Sequence, residues 1–182
     1  MTKDTLDYHK RYDEERYLFG VVGPRFREQG WLNAYDLMSI VRWKANRAIT
    51  TIARSLVRTS GSDLQSAARA LTRDIHRAES DKERFFVVSG KWKFRLPMAS
   101  AVLTVLLPNR FTVYDVRACN ILGGFTDIAQ RTNLERRWEG YLEFKSAVER
   151  YAPGGLSLRD KDRYIWALSR HNSLCEFLTK AF

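Results

Sequence analysis

One carboxylate in this chain stands where chemistry could use it. Asp115 follows a short extended stretch, 111–114, and its neighbours Val113, Tyr114 and Val116 are apolar or aromatic. Such a carboxylate has two readings. It is the N-cap of a helix over 116–122, accepting backbone N–H bonds, or it stands beside a cationic transition state and stabilises it. The two are compatible, because the positive end of a helix dipole also keeps a carboxylate ionised. The surroundings are basic. Residues 41–117 hold fifteen basic and six acidic side chains, against six and seven in 1–40 and ten and eight in 118–182. Neither 37–62 nor 84–114 contains an Asp or a Glu. A cationic block suits a polyanion, and nucleic acid is the usual one, since neutralised phosphates release counterions. A solvated basic face with no partner is the plain alternative. No short segment has the basic amphipathic pattern of a membrane-surface anchor.

Other chemistries lack their residues. His9, His76 and His171 lie far apart, and none sits at ligand spacing from Cys119 or Cys175, so no metal site is expected. Two cysteines exclude a four-cysteine iron–sulfur cluster and a disulfide scaffold. There is no P-loop and no Gly-x-Gly-x-x-Gly, so no cofactor is expected; Gly123-Gly124 and Gly154-Gly155 read as turns. Glu143-x-Lys145 with Asp127 upstream has the spacing of metal-dependent nucleases, but it falls in a helix where that motif needs a strand. The chain has 182 residues, a net charge of +10, and 45% hydrophobic residues, enough for one core. Its apolar stretches are too short to span a bilayer and its N-terminus is charged. A monomer in the bacterial cytoplasm is expected.

The elements that must position Asp115 read as helical nearly throughout. Leu64, Ala67, Ala68, Leu71 and Ile75 keep helical spacing behind a capping box of Ser62 and Gln65, and Ser80 with Glu83 forms another. Pro97 opens an apolar helix over 98–107 that Pro108-Asn109 stops. Thr132 and Glu135 cap a long helix ended by 152–155, and Ser157 with Asp160 opens the next. Only 111–114 looks extended, too little for a sheet. The expected fold class is all-α: one compact domain over 1–182 of about eight helices, with room for two lobes and the chain ends together in one.

Residues 91–122, KWKFRLPMASAVLTVLLPNRFTVYDVRACNIL, resemble the helix-hairpin-helix DNA glycosylases, in which a Gly/Pro-rich loop precedes a catalytic Asp. Ala99-Ser100-Ala101-x-Leu103 resembles the second hairpin helix. Phe111-x-Val113-x-Asp115 resembles the loop to the catalytic Asp, and Arg117-Ala-Cys-Asn-Ile-Leu122 the helix that follows. Trp43-Lys44-x-x-Arg47 and Arg163-Tyr-Ile-Trp-Ala-Leu168 resemble motifs of a poorly described branch of that superfamily. The resemblance places the hairpin and catalytic loop at about 85–122. Two departures stand out. Lys93-Phe94-Arg95 occupies the turn where the superfamily carries phosphate-gripping glycines. Pro97 occupies the position of the Schiff-base lysine of bifunctional members.

The resemblance implies a monofunctional glycosylase acting on double-stranded DNA, with Asp115 beneath the cationic sugar and no lysine-driven strand cleavage. A flipped base needs an aromatic pocket. Trp43, Tyr114 and Tyr35 are the candidates, with Trp31 and Trp166 as further ones. Lys44, Arg47, Lys91, Lys93 and Arg95 would hold phosphates, and Arg117 a phosphate beside the flipped nucleotide. The expected substrate is a hypermodified cytosine, such as a glucosylated hydroxymethylcytosine in phage DNA, released as a defence activity. The alternatives are a repair glycosylase for alkylated, oxidised or deaminated bases, a non-catalytic DNA-binding module of the same fold, and a helical protein–protein adaptor.

Overall fold

The computed structural model describes residues 13–181. Every regular element among them is helical. In chain order they are α1 (Glu14–Tyr17), a π-turn (Leu18–Val22), α2 (Gly23–Gln29), α3 (Ala34–Ala45), a 3-10 turn (Asn46–Ala48), α4 (Ile49–Ser60) and α5 (Leu64–Arg77). Then come α6 (Asp81–Phe86), a second π-turn (Val87–Lys91), α7 (Leu96–Leu106), α8 (Val116–Leu122), a 3-10 turn (Ile128–Gln130), α9 (Leu134–Tyr151) and α10 (Leu158–Ala181). The all-α expectation holds.

The core is built around α7. Pro97 sits in its first turn, where a missing N–H costs no helical bond. Every residue from Met98 to Leu106 is buried. A helix apolar on all sides must be surrounded, and α2, α3 and α6 pack on it. The approach of α2 is close: a Cβ at Gly23 would stand 2.5 Å from the Val105 carbonyl oxygen. On the other side α9 sends Trp138 and Tyr141 against Phe85, with ring centroids 5.2 and 5.6 Å apart.

The apolar helix read as 98–107 runs over Leu96–Leu106, and two N-caps differ from the sequence reading by one residue. The cap of α5 is Asp63, which accepts from the Ser66 N–H, while the Ser62 hydroxyl turns to Ser60. Gln65, assigned to that box, accepts from the Ala34 N–H and ties α5 to the start of α3. Asn133, not Thr132, caps α9. The Ser80–Glu83 box is present with both of its bonds.

The first and last described helices meet through charge. Glu15 of α1 accepts from Arg159 and Arg163 of α10, each at 2.6 Å. From Arg170 onward α10 is exposed. There one turn of helix brings His171 Nε2 within 3.5 Å of Cys175 Sγ, a pairing the sequence reading did not anticipate. His9 lies outside the described residues. Among the described residues no group of three or more His, Cys, Asp or Glu side chains could hold a metal ion, and no helix is long and apolar enough to cross a membrane.

Candidate active site

Asp115 reaches its place on a segment that has no strand partner among the described residues. Side chains from three helices take the backbone bonds that a sheet would take. Tyr141 of α9 accepts from the Thr112 N–H at 3.0 Å and donates to its carbonyl at 2.8 Å. Asp162 of α10 accepts from the Val113 N–H at 3.4 Å, and Ser100 of α7 from the Tyr114 N–H at 2.9 Å. Tyr141 is fully buried, and burial pushes its hydroxyl far above the usual tyrosine range, so it stays a phenol able to donate. Tyr141→Phe keeps the volume and strands both Thr112 groups. We expect a loss of about 2–4 kcal/mol in urea denaturation; a loss under about 0.5 kcal/mol would mean that the segment needs no clamp.

Extended backbone alternates its side chains. Val113 and Asp115 face one way, into a cleft of about 530 Å³. Its walls are Trp43 and Lys44 of α3, Glu15 of α1, Ala118 of α8, and Arg159, Asp162, Arg163, Trp166 and Ala167 of α10. The α10 residues fall at i, i+3, i+4, i+7 and i+8, one face of the helix.

Asp115 is the N-cap that its sequence position predicts, and it also holds an ion pair. Its Oδ1 accepts from the Arg117 N–H at 2.9 Å, capping α8, and its Oδ2 accepts from Lys44 Nζ at 2.6 Å. Burial opposes ionisation of this carboxyl. The Lys44 charge and hydrogen bond, joined by the Arg117 N–H, outweigh burial and hold it below the usual carboxylate range. Deeper in the cleft Asp162 pairs with Arg159, and there burial pushes the carboxyl up against the pull of that arginine. The Arg159 guanidinium lies 4.5 Å from the centre of the Phe19 ring and 5.5 Å from Trp43, whose ring meets Phe19 edge-on. Arg159 is thus fixed by two carboxylates and two aromatic rings.

Four of the residues named from sequence meet here: Asp115, Trp43, Lys44 and Trp166. Lys44 belongs to the carboxylate rather than to a free phosphate-binding surface. Tyr114 corrects a pocket assignment. It alternates away from Asp115, packs its ring 5.1 Å from Phe144, and donates its hydroxyl to the Phe125 carbonyl. Tyr35 is exposed on α3, eight residues before Trp43 and about 12 Å along the helix axis, and does not line the cleft. Lys91 is paired with Asp74 at 2.8 Å. Arg47, Lys93 and Arg95 are exposed, and Arg117 is half-buried; none of the four lines the cleft. Lys93 holds a left-handed backbone, φ 57°, in the turn where the resembled superfamily has glycine.

Glu15, Arg159 and Asp162 are not singled out by the sequence, and Arg163 enters there only within the motif 163–168. For the α10 residues the signal is charged and aromatic side chains sharing one face of a helix, where a core helix would be apolar; for Glu15 there is none.

No family model, curated protein or solved structure matches the chain.

Proposed function

We propose that the chain is a monofunctional DNA glycosylase of the helix-hairpin-helix type, which draws a modified base from duplex DNA and hydrolyses its bond to the sugar. The observation that carries this reading is a capped, ionised aspartate on the floor of a cleft walled by two tryptophans. Breaking an N-glycosidic bond builds positive charge on the sugar, and a carboxylate fixed in a partly dry cleft stabilises it. Trp43 and Trp166 supply flat apolar surface for an unstacked base. The atoms balance simply. Water oxygen bonds to C1′, the C1′–N bond breaks, its electron pair leaves with the base, and the water proton goes to solvent or to the base. A carboxyl held below its usual range is a weak base. Asp115 therefore acts chiefly by charge and by orienting the water.

Lysine chemistry does not enter this scheme. Pro97 has no amine, and the Lys44 ammonium, donating to Asp115, offers no lone pair to a sugar carbon. The substrate we assign is a hypermodified cytosine, such as glucosylated hydroxymethylcytosine of phage DNA. The test is a panel of duplexes, each with one uracil, alkylated, oxidised, hydroxymethylated or glucosylated base, scored for abasic sites with and without borohydride. Abasic sites without a trapped protein–DNA adduct are expected. An adduct that disappears in Lys44→Arg would reassign Lys44 as a nucleophile. Salt-sensitive DNA binding with no base release from any duplex would favour the binding module instead.

A further inference from the structure

A second depression opens beside the cleft. Its volume is also about 530 Å³, and Asp13, Glu15, Arg16, Phe19, Gly20 and Arg163 line it. Glu15 and Arg163 line both depressions, so their ion pair is the partition between them.

That partition has hydrogen-bonding capacity to spare. Both bonds to Glu15 land on Oε1, leaving Oε2 unused among the described residues. Arg163 donates from Nε to Glu15 and from Nη1 to Asp160, leaving Nη2 unused among the described residues. One ion pair therefore offers an open acceptor and an open donor. The rest of the wall is balanced in charge, with Asp13 and Glu15 against Arg16 and Arg163. A phosphate would meet as much repulsion as attraction there. A neutral group rich in hydroxyls suits the site, because one hydroxyl donates to the carboxylate while a neighbour accepts from the guanidinium. The floor is open at Gly20, where a Cβ would meet nothing within 4 Å. The Arg159 and Arg163 guanidiniums, 4.5 and 5.9 Å from the Phe19 ring centre, hold the partition from behind.

We propose that this second depression receives a sugar-like, hydroxyl-rich substituent carried by the base whose glycosidic bond lies over Asp115. The inference rests on the glycosylase reading, with the base against Trp43 and Trp166 and its substituent crossing the Glu15–Arg163 partition.

Single-turnover release from duplexes containing one glucosylated or one unglucosylated hydroxymethylcytosine tests it. The wild-type chain should release the glucosylated base at least about tenfold faster, since a site built for hydroxyls is left unpaired by the smaller base. Gly20→Tyr fills the floor and should lower that rate ratio about tenfold, and Glu15→Gln, which keeps the shape and removes the charged acceptor, should lower it as well. Circular dichroism melts and DNA anisotropy of both variants show whether fold and duplex affinity persist. Equal wild-type rates on the two bases, or an unchanged ratio in a folded Gly20→Tyr, overturn the subsite. Release of only uracil or alkylated bases overturns the subsite and leaves the glycosylase reading standing. Release from no duplex at all removes both.

Discussion

Asp115→Asn is expected to bind duplex DNA as the wild type does and to release base at least about 10³-fold more slowly. Asn keeps the cap, because its side-chain oxygen still accepts from the Arg117 N–H, the bond now made at 2.9 Å. It also keeps the volume. What it removes is the negative charge beneath the sugar and, with it, the acceptor for Lys44, because the amide nitrogen takes the place of the oxygen that Lys44 now meets. This variant separates the cap from the charge. Single-turnover kinetics with a saturating excess of protein, beside anisotropy measured in the same buffer, check it. An Asn variant of full activity would make Asp115 a cap and nothing more.

Lys44→Met should be the second large effect, and it acts through the same carboxylate. Lys44 and Asp115 are 12% and 25% exposed, so water screens their pair little. Removing the ammonium leaves a half-buried carboxylate with only the N–H and the charge of Arg117 against the cost of burial. We expect a loss of about 1–3 kcal/mol at neutral pH in a denaturant melt. The sign with pH follows from the direction of the shift. The folded-state carboxyl of Asp115 titrates below its unfolded value. The stability it contributes is present above the ordinary aspartate pKa of about 3.9 and is lost as pH falls through the folded-state value. The acid limb of the wild-type rate profile should therefore lie below the ordinary aspartate range. In Lys44→Met that limb should move to higher pH, because burial then acts with less opposition. Lys44→Arg should restore it in part. A limb that stays in place in Lys44→Met would mean that the 2.6 Å pair does not govern the carboxyl's ionisation.

The charge that first suggests a polyanion now divides into two parts. Trp43 and Lys44, from the acid-free stretch 37–62, do enter the cleft. The other cations in it, Arg159 and Arg163, come from the nearly neutral C-terminal third. Each of these is held by a carboxylate: Arg159 by Glu15 and Asp162, Arg163 by Glu15 and Asp160. They shape the cleft, whereas Arg47, Lys93 and Arg95 stay exposed. Net charge along the chain locates the second kind of cation and overlooks the first, because a cation matched by carboxylates does not register in a sum.

Local order was legible without coordinates. The Ser80–Glu83 box and the proline in the first turn of α7 follow from bonds made within four residues, and such bonds are written in neighbouring side chains. Even the place of Asp115 at the head of α8 was readable, since an N-cap is a local device. Tertiary structure decided the rest. That Tyr114 turns inward while Val113 and Asp115 face the cleft depends on which side of an extended segment meets the core. That Tyr141, Asp162 and Ser100 clamp this segment depends on three helices arriving from 14 to 49 residues away. That Lys44 reaches a carboxylate 71 residues later depends on the packing of α3 on α7. Contacts of that range are set by which apolar faces bury each other, and no window of neighbouring residues contains them. The sequence by itself determined an all-helical chain with a capped aspartate behind an apolar helix. Only the packing of α1, α3 and α10 around that aspartate turned a cap into the floor of a cleft.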